Sequence, residues 1–156
     1  MIIPELDLDI DQLHYVIDQL RDPIQKNLII RRAGVTTAYL YLMLDEVFGG
    51  DYNNRYLYIC GNHGLLEAKR VAQEFVKLLY YNDIDRSKVL MAGIPQVQVK
   101  SGQHFEFVDL RTVMREDFWR ATHYDRVFID IGQEWLQSPI KETIEQDIRM
   151  MGGDWV

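Results

Sequence analysis

Apolar residues at Ile10, Leu13, Val16, Ile17 and Leu20 recur at helical spacing, with Asp9, Asp11, Gln12, Asp18 and Gln19 on the other side. The pattern predicts an opening amphipathic helix that ends before Pro23. Leu28, Ile29 and Ile30 then form a short β-branched run. Gly34 breaks it ahead of an apolar stretch over 38–48, rich in good helix formers. Strand, loop and helix are expected in that order. Gly49 and Gly50, with Asp51, Asn53 and Asn54, signal a stop and a turn. Residues 56–59 are the second strand candidate, ended by Gly61, Asn62, His63 and Gly64. Positions 65, 68, 71, 72, 75, 78 and 79 are apolar, and Glu67, Lys69, Arg70, Glu74 and Lys77 fall mostly opposite them, which predicts a helix over 65–81.

The pattern shortens after residue 88. Residues 89–91, then Val97 and Val99, then Phe105 and Phe107 alternating with polar neighbours predict two or three short strands, separated by Gly93, Pro95 and Gly102. Residues 110–122 are expected to be a helix or helical loop. Arg126, Val127, Phe128 and Ile129 form the fourth strong strand, ending on Asp130. Ser138 and Pro139 predict the start of a last helix to Met151, the serine capping it and the proline lying in the first turn, and Gly152 and Gly153 end it. Strands alternating with helices imply an α/β fold with a parallel sheet covered on both faces. Ligands of such sheets bind at the carboxyl ends of the strands, here the loops at 31–37, 61–64 and 130–134.

Size and composition narrow the class. A chain of 156 residues, 47% hydrophobic and 26% charged, suits a single domain over 1–156. No apolar run approaches the roughly 20 residues needed to cross a bilayer. Glu5, Asp7 and Asp9 stand where a secretory or mitochondrial signal would carry basic residues, so a cytoplasmic protein with no membrane partner is expected. Cys60 is the only cysteine, which excludes an intramolecular disulfide; closing an apolar run, it reads as a buried, inert thiol. The 24 acidic and 17 basic residues give a formal charge of −7, which disfavours DNA as a partner and favours protein. Local basic patches remain at Arg31 with Arg32, Lys69 with Arg70, and Arg111, Arg115 and Arg120. The four histidines are dispersed, without the paired spacing of a zinc site.

The chemistry concentrates at the first loop, Arg31-Arg32-Ala33-Gly34-Val35-Thr36-Thr37. A glycine lets backbone approach a ligand, the N–H groups at a helix start face an anion, and a following hydroxyl can hold Mg²⁺. Thr36 or Thr37 is placed for that last role. The alternative is a plain turn at Gly34 and a helix capped by Thr36. An apolar strand ending in Asp130 supplies the carboxylate that a Mg²⁺-triphosphate site requires.

In this order the segment over 12–130 resembles the ATPase domain of the large subunit of phage DNA-packaging terminases, and more loosely the superfamily-two helicases. The loop over 31–37 is similar to that family's arginine-rich phosphate loop, residues 56–81 to its second strand and helix, residues 104–107 to its next strand, and residues 124–130 to its acid-tipped strand. The resemblance implies a three-layer sandwich with a mainly parallel sheet, P-loop NTPase-like (RecA-like) and truncated. It further implies ATP held by Arg31, Arg32, Gly34, Thr36 and Thr37, and Mg²⁺ held by Thr36 and Asp130.

Both motifs depart from the family. Val35 stands where a lysine is usual, Ile29 where the first glycine would be, and Ile131 where a catalytic glutamate follows the aspartate. Arg31 or Arg32 can replace the lysine, since a guanidinium pairs phosphate bidentately. Gln133 and Glu134 are the remaining catalytic candidates. The resemblance therefore implies a viral, nucleotide- or protein-binding module with little or no hydrolysis, partnered by a nucleic-acid-processing enzyme, a motor subunit or its own copies. An active ATPase with a deviant loop, in DNA packaging or remodelling, and a structural domain with no nucleotide site are the alternatives. Neither the family's further strand nor its nuclease domain is expected in residues 131–156.

Overall fold

The computed structural model describes residues 10–21, 35–61, 64–115, 117–119, 122–131 and 141–156. The strand expected at 28–30 and the start of the last helix at Ser138 and Pro139 lie outside the described residues. Helix α1 (Ile10–Arg21) is followed by α2 (Val35–Gly49), β1 (Arg55–Cys60), α3 (Leu65–Tyr81), β2 (Arg86–Leu90), β3 (Gln96–Val99) and β4 (His104–Asp109). After these come α4 (Leu110–Val113), β5 (Arg126–Asp130), α5 (Lys141–Met150) and β6 (Asp154–Trp155).

The strands form one sheet in the order β2-β3-β4-β1-β5-β6. β1 pairs in parallel with both β4 and β5, and β5 in parallel with β6, while β2 and β3 join as antiparallel neighbours. The expectation of a mainly parallel α/β sheet is met. The antiparallel edge arises because the links from β2 to β3 and from β3 to β4 are too short for a crossover, which needs a dozen or more residues.

Period-two alternation builds two cores. Tyr56, Tyr58, Cys60, Phe105, Phe107 and Phe128 face one side, where Ala38, Tyr39 and Met43 of α2 and Phe75 of α3 meet them, with Val16 and Ile17 of α1 in the same cluster. Leu57, Ile59, Val108, Val127 and Ile129 face the other, against Leu110 and Val113 of α4 and Ile144 and Ile148 of α5. This is the three-layer arrangement. Helix α2 is apolar on nearly every side because it is the central helix of its layer, buried between α1, α3 and β5. Tyr39 and Phe75 are core residues, whereas Tyr80 and Tyr81 stay exposed.

Of the helix or helical loop expected over 110–122, the described residues form a helix at Leu110–Val113 and turns at 114 and 117–119. Asp109 caps its start, accepting from the Thr112 amide at 3.0 Å. A short strand that the sequence did not predict, β6, lies beside β5, and Val156 extends the pairing by donating to Val127 O at 3.0 Å and accepting from Ile129 N at 2.9 Å.

Candidate nucleotide site at the carboxyl ends of the strands

In the parallel centre of the sheet, Cys60, Asp109 and Asp130 end β1, β4 and β5 in register. Asp109 is committed to α4, taking both the amide and the hydroxyl of Thr112. Asp130 instead faces α2. It is 1% exposed, and its Oδ2 accepts the Thr36 hydroxyl at 2.8 Å and the Tyr58 hydroxyl at 2.5 Å.

The first turn of α2 is held over this carboxylate by its own packing. Ala38 and Tyr39 point into the core, and the Tyr39 hydroxyl donates to Ile129 O at 2.6 Å, with Val156 O at 3.2 Å. That rotational setting turns Thr36, rather than Thr37, towards Asp130; Thr37 is half-buried beside it. Val35, at the position where the resemblance implies a lysine, is buried in the core at 7% exposure. Ile131, where a glutamate would follow the aspartate, is 3% exposed and packs into the opposite core with Val127 and Ile129. Of the other site candidates, Arg31, Arg32, Gly34, Gln133 and Glu134 lie outside the described residues.

Cys60 beside this site is inert. Burial, then the carboxylates of Asp109, Glu67 and Asp130, push its thiol up to about 12, so no thiolate forms at neutral pH. At the start of α3, Glu67 grips Arg70 with two bonds of 2.6 and 3.1 Å, which raises the guanidinium above its ordinary value. Tyr58 is the contributor that sequence reasoning missed. The available signal was parity: Tyr58 is in register with Phe128 of β5, so Asp130, two residues on, shares its face.

Two crystal forms of the large terminase from a thermophilic bacteriophage, one in complex with ADP, are similar to this chain over 92% of its length. The TM-scores are 0.55 and 0.53, with 14% and 15% identity. The fold is that of a terminase-like P-loop domain. The chain spans 37% of the length of that phage protein. No family model matches the chain, and no curated protein does.

In a P-loop fold the phosphates lie at the amino end of the helix that follows the loop, where unpaired N–H groups and the helix dipole favour an anion. In this chain α2 is the helix that follows Gly34 in sequence, and Thr36 and Asp130 meet at its amino end. The donors gathered there fit Mg²⁺, a hard cation that takes oxygen ligands and keeps several waters and phosphate oxygens. Among the described residues no group of three or more His, Cys, Asp or Glu could hold a metal. A dedicated protein cage is therefore absent from them, and Mg²⁺ does not need one where phosphate supplies the other ligands. A threonine hydroxyl that gives its proton to Asp130 keeps its lone pairs available to a cation.

Proposed function

We propose that this chain is a viral, terminase-like P-loop module that binds a Mg²⁺-nucleotide at the amino end of α2 and hydrolyses it little or not at all. The observation that carries the reading is the 2.8 Å bond between Thr36 and Asp130, which joins the hydroxyl and the carboxylate that a Mg²⁺-phosphate site requires. Thr36 and Asp130 would hold the metal, which neutralises charge on the phosphate oxygens. Gly34 would let the loop backbone approach them, with Thr37 alongside. Arg31 and Arg32 supply the cationic groups in the absence of a lysine.

The low turnover follows from the two substituted positions. Val35 and Ile131 are both apolar and both packed into core, so neither provides the cation nor the base that speeds attack on phosphorus. Loss of such charge stabilisation costs orders of magnitude in rate. The net charge of −7 turns the module towards a protein partner, a nucleic-acid-processing enzyme, a motor subunit or its own copies in the host cytoplasm, rather than towards bare DNA.

Calorimetric and thermal-shift titrations with Mg²⁺-ATP, Mg²⁺-ADP and a non-hydrolysable analogue test this. Saturable binding that weakens about tenfold in Thr36→Val is expected, on the scale of a lost metal contact. No binding at millimolar nucleotide would remove the site and leave a structural domain. Turnover abolished by Asp130→Asn and Glu134→Gln would replace this reading with that of an ATPase whose base is Glu134.

A further inference from the structure

We propose that Tyr58 is a positioning residue of the nucleotide site, holding Asp130 so that the Thr36 hydroxyl is presented to the metal. This rests on the nucleotide-binding reading above. Thr36 and Tyr58 donate to the same carboxylate oxygen, one from α2 at 2.8 Å and the other from β1 at 2.5 Å. The two hydroxyls thus converge on one oxygen from two different elements.

The ring that delivers this hydroxyl is fixed. Tyr58 is buried, edge-on to Tyr39 with centroids 6.4 Å apart, and tilted against Phe107 at 5.8 Å. Tyr39 in turn ties α2 to the end of β5 through Ile129 O. A phenol locked between these rings restrains rotation of the Asp130 carboxyl about its own axis. Oδ2 then stays turned towards α2, and the lone pairs of the Thr36 oxygen stay turned away from the carboxylate. Groups that orient a metal ligand through a hydrogen bond typically contribute 10- to 100-fold to metal affinity.

A purely structural Tyr58, one that only satisfies a buried carboxylate, would affect stability but not the metal. The readout is therefore metal coupling, the ratio of ADP affinity with Mg²⁺ to that without it. Tyr58→Phe removes one oxygen and keeps the ring, and coupling is expected to fall about tenfold while metal-free ADP affinity stays within about twofold. Tyr56→Phe, on the same strand, deletes a phenol that meets Glu46 at 3.0 Å instead of Asp130, and should leave the coupling unchanged. A double-mutant cycle of Tyr58→Phe with Thr36→Val should be non-additive, because both act through one carboxylate oxygen.

Wild-type coupling in Tyr58→Phe, or additivity in the cycle, would overturn the role of Tyr58 while nucleotide binding by the wild type still stands. A wild-type protein with no Mg²⁺-dependent binding would overturn both together.

Discussion

Thr36 and Asp130, 94 positions apart in sequence, share a 2.8 Å hydrogen bond that ties the first turn of α2 to the carboxyl end of β5. Val35 and Ile131 are both turned into core, so this bond and that of Tyr58 to the same carboxylate are polar contacts of described residues at the site's centre. Asp130→Asn tests its chemical content, because the amide keeps the shape and loses the charge. The amide oxygen can take the place of Oδ2 and accept from both Thr36 and Tyr58, so the hydroxyl contacts survive while the charge is lost. We expect the Mg²⁺-dependent part of nucleotide affinity to fall at least about tenfold, read by calorimetry with and without Mg²⁺. Equal Mg²⁺ dependence in wild type and variant would mean that the metal does not lie against Asp130.

The elements read correctly from sequence are those whose pattern is local. Seven apolar positions on one face specify α3, and a continuous apolar run ending in an aspartate specifies β5. β2 is exposed along its whole length, so Arg86, Ser87 and Lys88 carry no hydrophobic signal and its start was invisible. β6 is two residues long and exists by pairing with β5, which is a tertiary fact. At the site, the sequence nominates Thr36, Thr37 and Asp130 but cannot choose between the threonines. The choice depends on how Ala38, Tyr39 and Met43 rotate α2 against the sheet. Tyr58 was hidden for a related reason: it sits mid-strand among apolar residues, and its partner is on another strand.

Cys60 offers a probe of native packing. Its thiol, pushed up to about 12 chiefly by burial, stays protonated at pH 8, and it is 1% exposed. Labelling with an aromatic disulfide reagent at pH 8 should be at least about a hundredfold slower in the native protein than in guanidinium chloride, since the thiolate is the nucleophile. The same shift makes stability fall as pH rises. The unfolded thiol ionises from about pH 9 and the folded one does not until about 12, so this contribution is intact below 9 and is lost across that window. Native labelling as fast as denatured labelling would contradict the closed packing around β1.

His104 should give stability a dependence on acid. Burial first, then the Arg55 guanidinium and the Lys88 ammonium, hold its imidazole below the ordinary value against the opposing pull of Glu106, whose Oε1 is 3.7 Å from Nε2. Gln98 is its neighbour on β3. The folded imidazole thus remains neutral at a pH where the unfolded one, with a value near 6.5, takes a proton. Stability contributed by this group is present above about 6.5 and falls as pH drops through it. The urea midpoint of the wild type should therefore decline more between pH 7 and pH 5 than that of His104→Gln. Parallel declines would show that the carboxylates alone account for the acid response.

Arg126 is the clamp that fastens β6 to the rest of the sheet. Its Nε and Nη2 grip the Asp154 carboxylate at 2.7 and 2.9 Å, and its Nη1 reaches Glu46 near the end of α2. Arg126 and Asp154 are also partners in the parallel register of β5 and β6. The carboxylates raise the guanidinium above its ordinary value, the bonds to Asp154 most of all. A single exposed ion pair contributes about 0–1 kcal/mol. A bidentate fork shared by three elements should do more, and we expect Arg126→Ala to cost about 1–2 kcal/mol after allowing for solvent around Asp154. The loss should also be local. Backbone bonds from Val156 to Val127 and from Ile129 to Val156 keep β6 in place, and amide exchange at Val156 and Ile129 should accelerate before that at β1. Arg126→Lys keeps a charge but not the fork, so its urea midpoint should fall between those of wild type and alanine. If the lysine variant matched the alanine one, the geometry of the fork would be the whole contribution. If instead exchange at Val156 stayed at the wild-type rate in both variants, the strand would be held by its backbone and by the packing of Trp155 under Arg149, whose guanidinium lies 4.9 Å from the ring centroid.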